Sequence, residues 1–270
     1  DVMDAPAWKD LPRHLANLRD KAWGQLGSSG SGNHFVEFGE FELERDDAQL
    51  GLAAGRYLAL FSHSGSRGFG QQVANFYTRL AMDLSALPKE ARRLAWLDLD
   101  SEAGQEYWLA MNLAGDYASA NHDLIHRHVL RAASLRAALQ VENHHNFAWI
   151  ERHDGRRLVV HRKGATPAAR GTLGIIPGNM ADPGFLVRGK GEPRSLESAA
   201  HGAGRRMSRR AAKQTLTRSD LRKYLEERGV TLLSAGIDEA PMAYKSIFEV
   251  MAAQSRSEEH TSELQSHHPI

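Results

Sequence analysis

Short apolar runs broken by glycine-rich turns alternate along this chain with stretches in which hydrophobic residues recur every three or four positions. Phe35 to Leu43 and Arg56 to Ser62 read as strands, the second carrying the continuous run Tyr57-Leu58-Ala59-Leu60-Phe61 that a buried strand needs. Leu11 to Trp23 reads as part of a helix, Phe69 to Leu84 as another, and Glu102 to Leu139 as mostly helical with a break near Gly115. Phe147 to Glu151, Leu158 to His161 and Leu173 to Ile176 return as predicted strands. Three more helices are predicted over Arg205 to Gln214, Ser219 to Arg228 and Pro241 to Gln254, the second opened by a capping Ser219 and closed at Gly229. Strands and helices mix without regular β-α-β spacing. The predicted class is therefore α+β, a single mixed domain with no internal repeat and no dividing linker.

Composition narrows the chemistry. A chain of 270 residues that is 41% hydrophobic can bury a substantial core. No apolar run is long enough to span a bilayer, and Asp1 to Trp8 has neither the basic start nor the apolar stretch of an export signal, so a soluble cytoplasmic protein, expected to be a monomer, is the reading. Cysteine is absent, which leaves His, Asp, Glu or water to bind any metal. The net charge of +1 conceals an uneven distribution: between Arg156 and Lys213 stand 13 Lys and Arg against Asp182, Glu192 and Glu197. Such a segment attracts phosphate or nucleic acid when it is not simply a solvated charged face. At the ends, Asp1 is not an initiating Met, so a segment upstream is expected. Arg256 to His267 (RSEEHTSELQSH) reads like the translation of a synthetic adapter, so residues 1–255 are taken as the domain and 256–270 as an extraneous tail.

Fourteen histidines need sorting. His34 follows Gly30-Ser31-Gly32-Asn33, His63 lies in Ser62-His63-Ser64-Gly65-Ser66-Arg67-Gly68, His145 in Asn143-His144-His145-Asn146, and His201 opens His201-Gly202-Ala203-Gly204-Arg205. Each stands where a strand or helix meets a turn of small residues, which lets an imidazole point into a cleft and the backbone approach a ligand. Imidazole nitrogen also suits divalent metals at neutral pH. His122 and His126 are different. They stand four apart on a predicted helix, as in zinc helices, but Asp123 occupies the place of the catalytic Glu, so they are read as a solvated helix face.

Seven blocks in order, LGSSGSGNHFVE (Leu26 to Glu37), HSGSRGFG (His63 to Gly70), NHHNFA (Asn143 to Ala148), HRKGAT (His161 to Thr166), IIPGNM (Ile175 to Met180), HGAGRRMSR (His201 to Arg209) and DEAPMAY (Asp238 to Tyr244), resemble the RtcB family of RNA ligases up to about Ser255. The resemblance implies a GTP- and manganese-dependent enzyme that joins RNA 3′-phosphate or 2′,3′-cyclic phosphate ends to 5′-hydroxyl ends in tRNA splicing or RNA repair. It implies that His34, His63 and His145 hold two Mn²⁺ ions. It makes His201 the nucleophile that attacks the α-phosphate of GTP to give a covalent histidine–guanylate. Gly202 and Gly204, just before a helix at Arg205, would offer backbone N–H groups to phosphate at a helix N-terminus, with Ala203 between them in the same nucleotide site. Asn33, Glu37, His145, Asn146, Pro177, Gly178, Asn179, Met180 and Gly184 would line the guanylate pocket, with Glu37 accepting from the guanine edge. Arg67, Arg162 and Arg209 would grip RNA phosphates with their planar guanidinium forks.

The chain also departs from the family pattern. Family members complete the metal site with an Asp and a Cys that have no counterpart here, and a guanine-contacting Lys would fall where the adapter-like tail begins. Gly184 stands where many members carry a small hydroxyl residue. Two other classes compete: a metal-dependent phosphodiesterase would also cluster histidines, and a non-catalytic RNA-binding paralogue would keep the basic segment and dispense with manganese.

Overall fold

The helices of the first half form because their apolar residues fall on one face. The computed structural model describes residues 1–30, 32–255 and 257–265, and no side chain from 258 to 265 is described. One compact unit comprises Asp1–Phe35 with Ser62–Arg136. It contains α1 (Ala7–Asp10), α2 (Arg13–Ala16), α3 (Arg19–Gln25), α4 (Arg67–Leu84) and α5 (Glu102–Ala132). Phe69, Val73, Tyr77 and Ala81 recur every four residues on the buried side of α4. Ala110 and, three, four and seven residues further on, Leu113, Ala114 and Tyr117 share the buried side of α5. Met3, Trp8, Leu11 and Leu15 close this core, and the indole of Trp8 packs tilted against Phe69 with the ring centres 4.6 Å apart.

The second unit, Val36–Phe61 with the chain from Ala137 onward, is built on strands. These are β1 (Phe35–Leu43), β2 (Gly55–His63), β3 (Asn146–His153), β4 (Arg156–Lys163), β5 (Ala165–Pro167), β6 (Leu173–Ile176), β7 (Gly184–Gly189), β8 (Ser198–Ala200) and β9 (Glu258–Gln265). A five-stranded sheet runs β2-β1-β9-β7-β6, with two-stranded sheets β3-β4 and β5-β8 beside it in the same unit. β7 is covered on both faces: Phe185 and Val187 pack with Ile176, Ala203 and Ile247, while Leu186 packs with Phe41, Leu43 and Leu50. Three short helices complete the unit, α6 (Arg209–Thr215), α7 (Arg218–Glu226) and α8 (Ile247–Ala253). The α+β class holds.

Several element boundaries differ from the sequence reading. The helix expected over Leu11 to Trp23 is two short ones, with Asn17 capping α2 and Leu18 preceding α3. α5 runs unbroken through Gly115, because the buried residues on either side contribute more than the roughly 1 kcal/mol that a helical glycine costs. It ends at Ala132, before the expected Leu139. The helix expected from Arg205 starts at Arg209, capped by the Ser208 hydroxyl, which accepts from the Ala211 N–H. Thr217, not Ser219, caps α7. Pro241–Ala243 is a separate 3₁₀ turn ahead of α8. Glu258–Gln265, set aside on its composition, lies between β1 and β7; the ladder there is made by backbone groups, which any non-proline residue can supply.

Candidate functional site

In the first unit β2 delivers His63 at its last residue, and the glycine-rich loop after α3 delivers His34. Their rings lie 5.5 Å apart, centroid to centroid. His63 Nδ1 is 2.9 Å from the Asn33 carbonyl oxygen, and His34 Nδ1 is 2.9 Å from that of Ser29. A carbonyl can only accept, so each Nδ1 carries a proton, and a ring so held binds a metal through Nε2 when it is neutral. Arg67 Nη1 lies 3.2 Å from the same His34 nitrogen, but it has its own acceptor in the Ser29 carbonyl at 3.0 Å. Burial holds the His34 imidazole below its ordinary value; the Ser29 carbonyl opposes this and the Arg67 charge adds to it. His34 is thus kept neutral, as a ligand must be.

Arg67 and Gly30 fit together tightly. A Cβ on Gly30 would fall 1.7 Å from Arg67 Nη1, and Gly30 has φ +106. Arg67 itself adopts φ 53. A non-glycine residue in that region is strained by about 1–2 kcal/mol and persists only when its surroundings fix it.

Residues missed by the sequence reading hold these loops. Asn121 on α5 is fully buried. Its Oδ1 accepts from the Gly27 N–H at 2.7 Å, and its Nδ2 donates to Ser64 Oγ at 3.0 Å. Ser64 Oγ in turn donates to the Ser29 carbonyl at 2.8 Å. One amide therefore ties the loop leading to His34 to the loop following His63. His122 and His126 are half-buried, which corrects their reading as a solvated face. His122 Nε2 accepts from the Ser64 N–H at 2.9 Å, and His126 Nε2 lies 2.8 Å from the Ser62 hydroxyl. The only signal in the sequence was an Asn in line with Tyr117 and Ile125 on an otherwise apolar helix face.

In the second unit the loop before β3 is pinned by Asn143, which donates to Thr166 Oγ1 at 2.8 Å and accepts from the Ile175 N–H at 3.2 Å. That places His145 against His201, with the rings stacked at 5.1 Å and 21°. His201 follows β8 directly, beside Gly164, which adopts φ +71; a Cβ there would lie 3.6 Å from the His201 ring. Gly202 and Ala203 lie against Pro177, whose carbonyl oxygen accepts from the Ala203 N–H at 3.1 Å. The His201-Gly202-Ala203-Gly204 turn is thus separated from the start of α6 by Arg205 to Ser208, and the Ala203 N–H is spent on Pro177. It does not form the helix-terminal phosphate cradle expected of it.

The remaining pocket residues divide. Asn179 Oδ1 caps its own turn, accepting from Ala181 and Asp182 at 2.9 and 3.0 Å. Gly178 is required by packing, since a Cβ would meet the Pro183 carbonyl oxygen at 2.4 Å. Met180 packs into the cluster of Leu221, Leu225 and Ala240. Gly184 is buried, and a Cβ there would touch the Ile176 carbonyl oxygen at 3.4 Å. Asn33 and Asn146 are exposed. Glu37, half-buried on β1, has its carboxyl pushed up to about 7 by burial.

Of the three arginines expected to grip RNA, Arg162 is committed elsewhere. It is 3% exposed, donates to both Glu151 oxygens at 2.6 and 2.9 Å, to Ser198 Oγ and to the Leu196 carbonyl, and lies 4.9 Å from the Trp149 ring. The β-strand alternation of β4 turns it inward, so these donors are spent inside the protein. Arg209 is half-exposed but paired with Asp238 at 3.0 Å and with Glu239.

Among the described residues no group of three or more His, Asp or Glu is close enough to hold a metal ion. His34 and His63 form a preset pair in one unit, and His145 belongs to the other. Each unit thus carries its own pair of adjacent histidines on glycine-rich turns, His34 with His63 in the first and His145 with His201 in the second. A family model described as "tRNA-splicing ligase RtcB" matches residues 6–264. The chain is 35% identical over 254 residues to the RNA-splicing ligase RtcB of Escherichia coli K12, covering 88% of this chain and 59% of that protein. It is also 35% identical to the tRNA-splicing ligase RtcB of Thermococcus kodakarensis, covering 84% and 55%, and to the RNA-splicing ligase RtcB of Mycobacterium tuberculosis, covering 90% and 64%. The chain belongs to the RtcB family and spans a little over half the length of these relatives. Among the described residues, no helix is long and apolar enough to cross a membrane.

Proposed function

We propose that this chain carries the nucleotide-accepting and end-joining part of an RNA ligase that uses GTP to join RNA 3′-phosphate or 2′,3′-cyclic phosphate ends to 5′-hydroxyl ends. The observation that supports it best is His201, at the end of β8 on a glycine turn, with its ring stacked on His145. An imidazole so placed can attack the α-phosphorus of GTP through a ring nitrogen. The new N–P bond replaces the bond to the β-phosphate oxygen, and pyrophosphate leaves.

The surrounding residues have separate tasks in this reading. Gly202 and Gly204 let the backbone pass close to the nucleotide. Glu37, when ionised, accepts from the guanine edge and rejects adenine, because a carboxylate left unpaired in the pocket costs about 1–3 kcal/mol or more. His34, His63 and His145 would hold manganese, which when bound supplies positive charge that neutralises the triphosphate. The Nδ1 contacts that anchor His34 and His63 to backbone carbonyls support that role. Arg67 and Arg209 are left to meet RNA phosphates, and Arg162 is withdrawn from that set. The same reading places the protein in the cytoplasm as a monomer.

The test is labelling from α-labelled GTP with manganese, run on this chain and on the protein extended to the length of its relatives. In the extended protein His201→Ala abolishes the label while manganese binding persists, and chelating the metal abolishes it as well. A label that survives His201→Ala moves the nucleophile elsewhere. RNA binding without any labelling favours a non-catalytic relative.

A further inference from the structure

In a two-stranded ladder every second residue shares a face. On the β3–β4 hairpin the pairs Asn146↔Lys163, Ala148↔His161, Ile150↔Val159 and Arg152↔Arg157 lie on one face. The opposite face holds Arg162 with its partners Glu151 and Trp149, and His153, whose Nε2 lies 2.8 Å from Glu151 Oε2. Every residue of the first face except Ala148 is exposed. It carries Lys163, Arg152, Arg157 and His161, and no carboxylate.

Arg152 and Arg157 stand directly across from each other. Like charges in that position destabilise a hairpin. Neither they nor Lys163 pairs with a carboxylate among the described residues, whereas Arg162, on the other face, is neutralised by Glu151. The repulsion is relieved when an anion lies between them. The base of the same face, Asn146↔Lys163, adjoins His145 on one strand and Gly164, against the His201 ring, on the other. From there to Arg152 the face extends about 20 Å at roughly 3.3 Å per residue.

We propose that this face is a docking track for the sugar–phosphate backbone of a single RNA strand leading to His201. The inference rests on the ligase reading for its direction, and on the hairpin's own charge for the ligand. An extended RNA backbone, with a phosphate at every nucleotide, can reach both Lys163 at the base of the face and the Arg152–Arg157 pair at its far end. The one exposed apolar pair, Ile150–Val159, is too small to sink into a lipid headgroup layer.

The test measures binding of a fluorescent single-stranded RNA to this chain over a series of salt concentrations. In Arg152→Gln/Arg157→Gln the affinity falls and the log–log salt slope becomes shallower by about 1.4, two contacts at about 0.7 each. The melting temperature of that variant stays level or rises. Arg152→Glu separates binding from folding: it makes an opposite-charge pair with Arg157, so the hairpin is firmer while RNA binds more weakly. Unchanged affinity and slope in the double variant overturn the track. Loss of binding to phosphatidylserine vesicles with RNA binding intact overturns it too. Guanylate labelling of the extended protein is scored alongside. A shallower slope with no labelling sinks the ligase reading and leaves the track standing; labelling with an unchanged slope does the reverse.

Discussion

The proposed reading of guanine needs an ionised Glu37, and burial makes that ionisation costly. Its carboxyl is raised from the ordinary 4.5 to about 7. The folded state binds its proton more tightly than the unfolded state does. Stability from this group is therefore complete below about pH 4.5 and is lost as pH rises through 7, by up to roughly 3 kcal/mol at about 1.4 kcal/mol per unit. Glu37→Gln keeps the shape and removes the charge. It is expected to melt higher than the parent at pH 8 and level with it near pH 4.5, and in the extended protein to narrow the preference for GTP over ATP. Equal melting temperatures at both pH values would show that Glu37 is not held as described. At this scale the glycine-flanked histidines were legible, because each type and its turn are local features. Arg162 was not: the sequence HRKG shows a basic patch, and only the facing of β4 reveals that its middle guanidinium points inward to Glu151. Asn121 was equally hidden, since its partners are Gly27 and Ser64, far away in the chain.

The ends of elements follow backbone chemistry that spacing of apolar residues describes only loosely. α5 closes with Ser134 at φ 55, the Ser134 N–H donating to the Arg131 carbonyl at 3.1 Å and the Leu135 N–H to that of Leu130 at 2.8 Å. This is the two-bond helix termination that glycine normally serves, because a side chain in the left-handed region is strained. Ser134→Gly should relieve about 1–2 kcal/mol of strain and lose part of that to backbone entropy, for a net gain of roughly 0.5–1 kcal/mol. Urea unfolding with an unchanged slope and a higher midpoint is the expected result; a lower midpoint would mean that the serine side chain stabilises the turn. The same distinction explains which elements could be read. β1 and β6 match their apolar runs because nothing else competes for those residues. β7, a short glycine-bracketed run, escaped notice although five of its six residues are buried, since covering both faces removes the alternation that marks a strand. The start of α6 was misplaced by four residues because Arg205 and Arg206 are good helix formers that are instead fixed to Asp238 and Met242 carbonyls by hydrogen bonds formed only in the fold.

At the scale of the whole chain the decisive quantity is the placement of charge. The net charge is +1, yet the stretch from Arg156 to Lys213 holds 13 cations and three acids, so the rest of the protein is acidic by nearly as much as this stretch is basic. Nine of those cations are exposed in the structure, and Arg162 is the only one fully buried. In the proposed reading, attraction to RNA depends on local contacts and not on net charge, and counterion release from those contacts sets its salt dependence. If about half of the exposed cations meet phosphates of a single strand, the log–log slope of affinity against salt lies between about −3 and −4 at roughly −0.7 per contact. A protein of the same net charge with its cations evenly mixed among acids would give a slope near zero. The measurement is a salt titration of this chain with single-stranded RNA, and Arg162→Lys should leave the slope untouched because that guanidinium faces Glu151 and not solvent. A slope shallower than about −1 would mean that the basic stretch is a solvated surface and that RNA is held elsewhere.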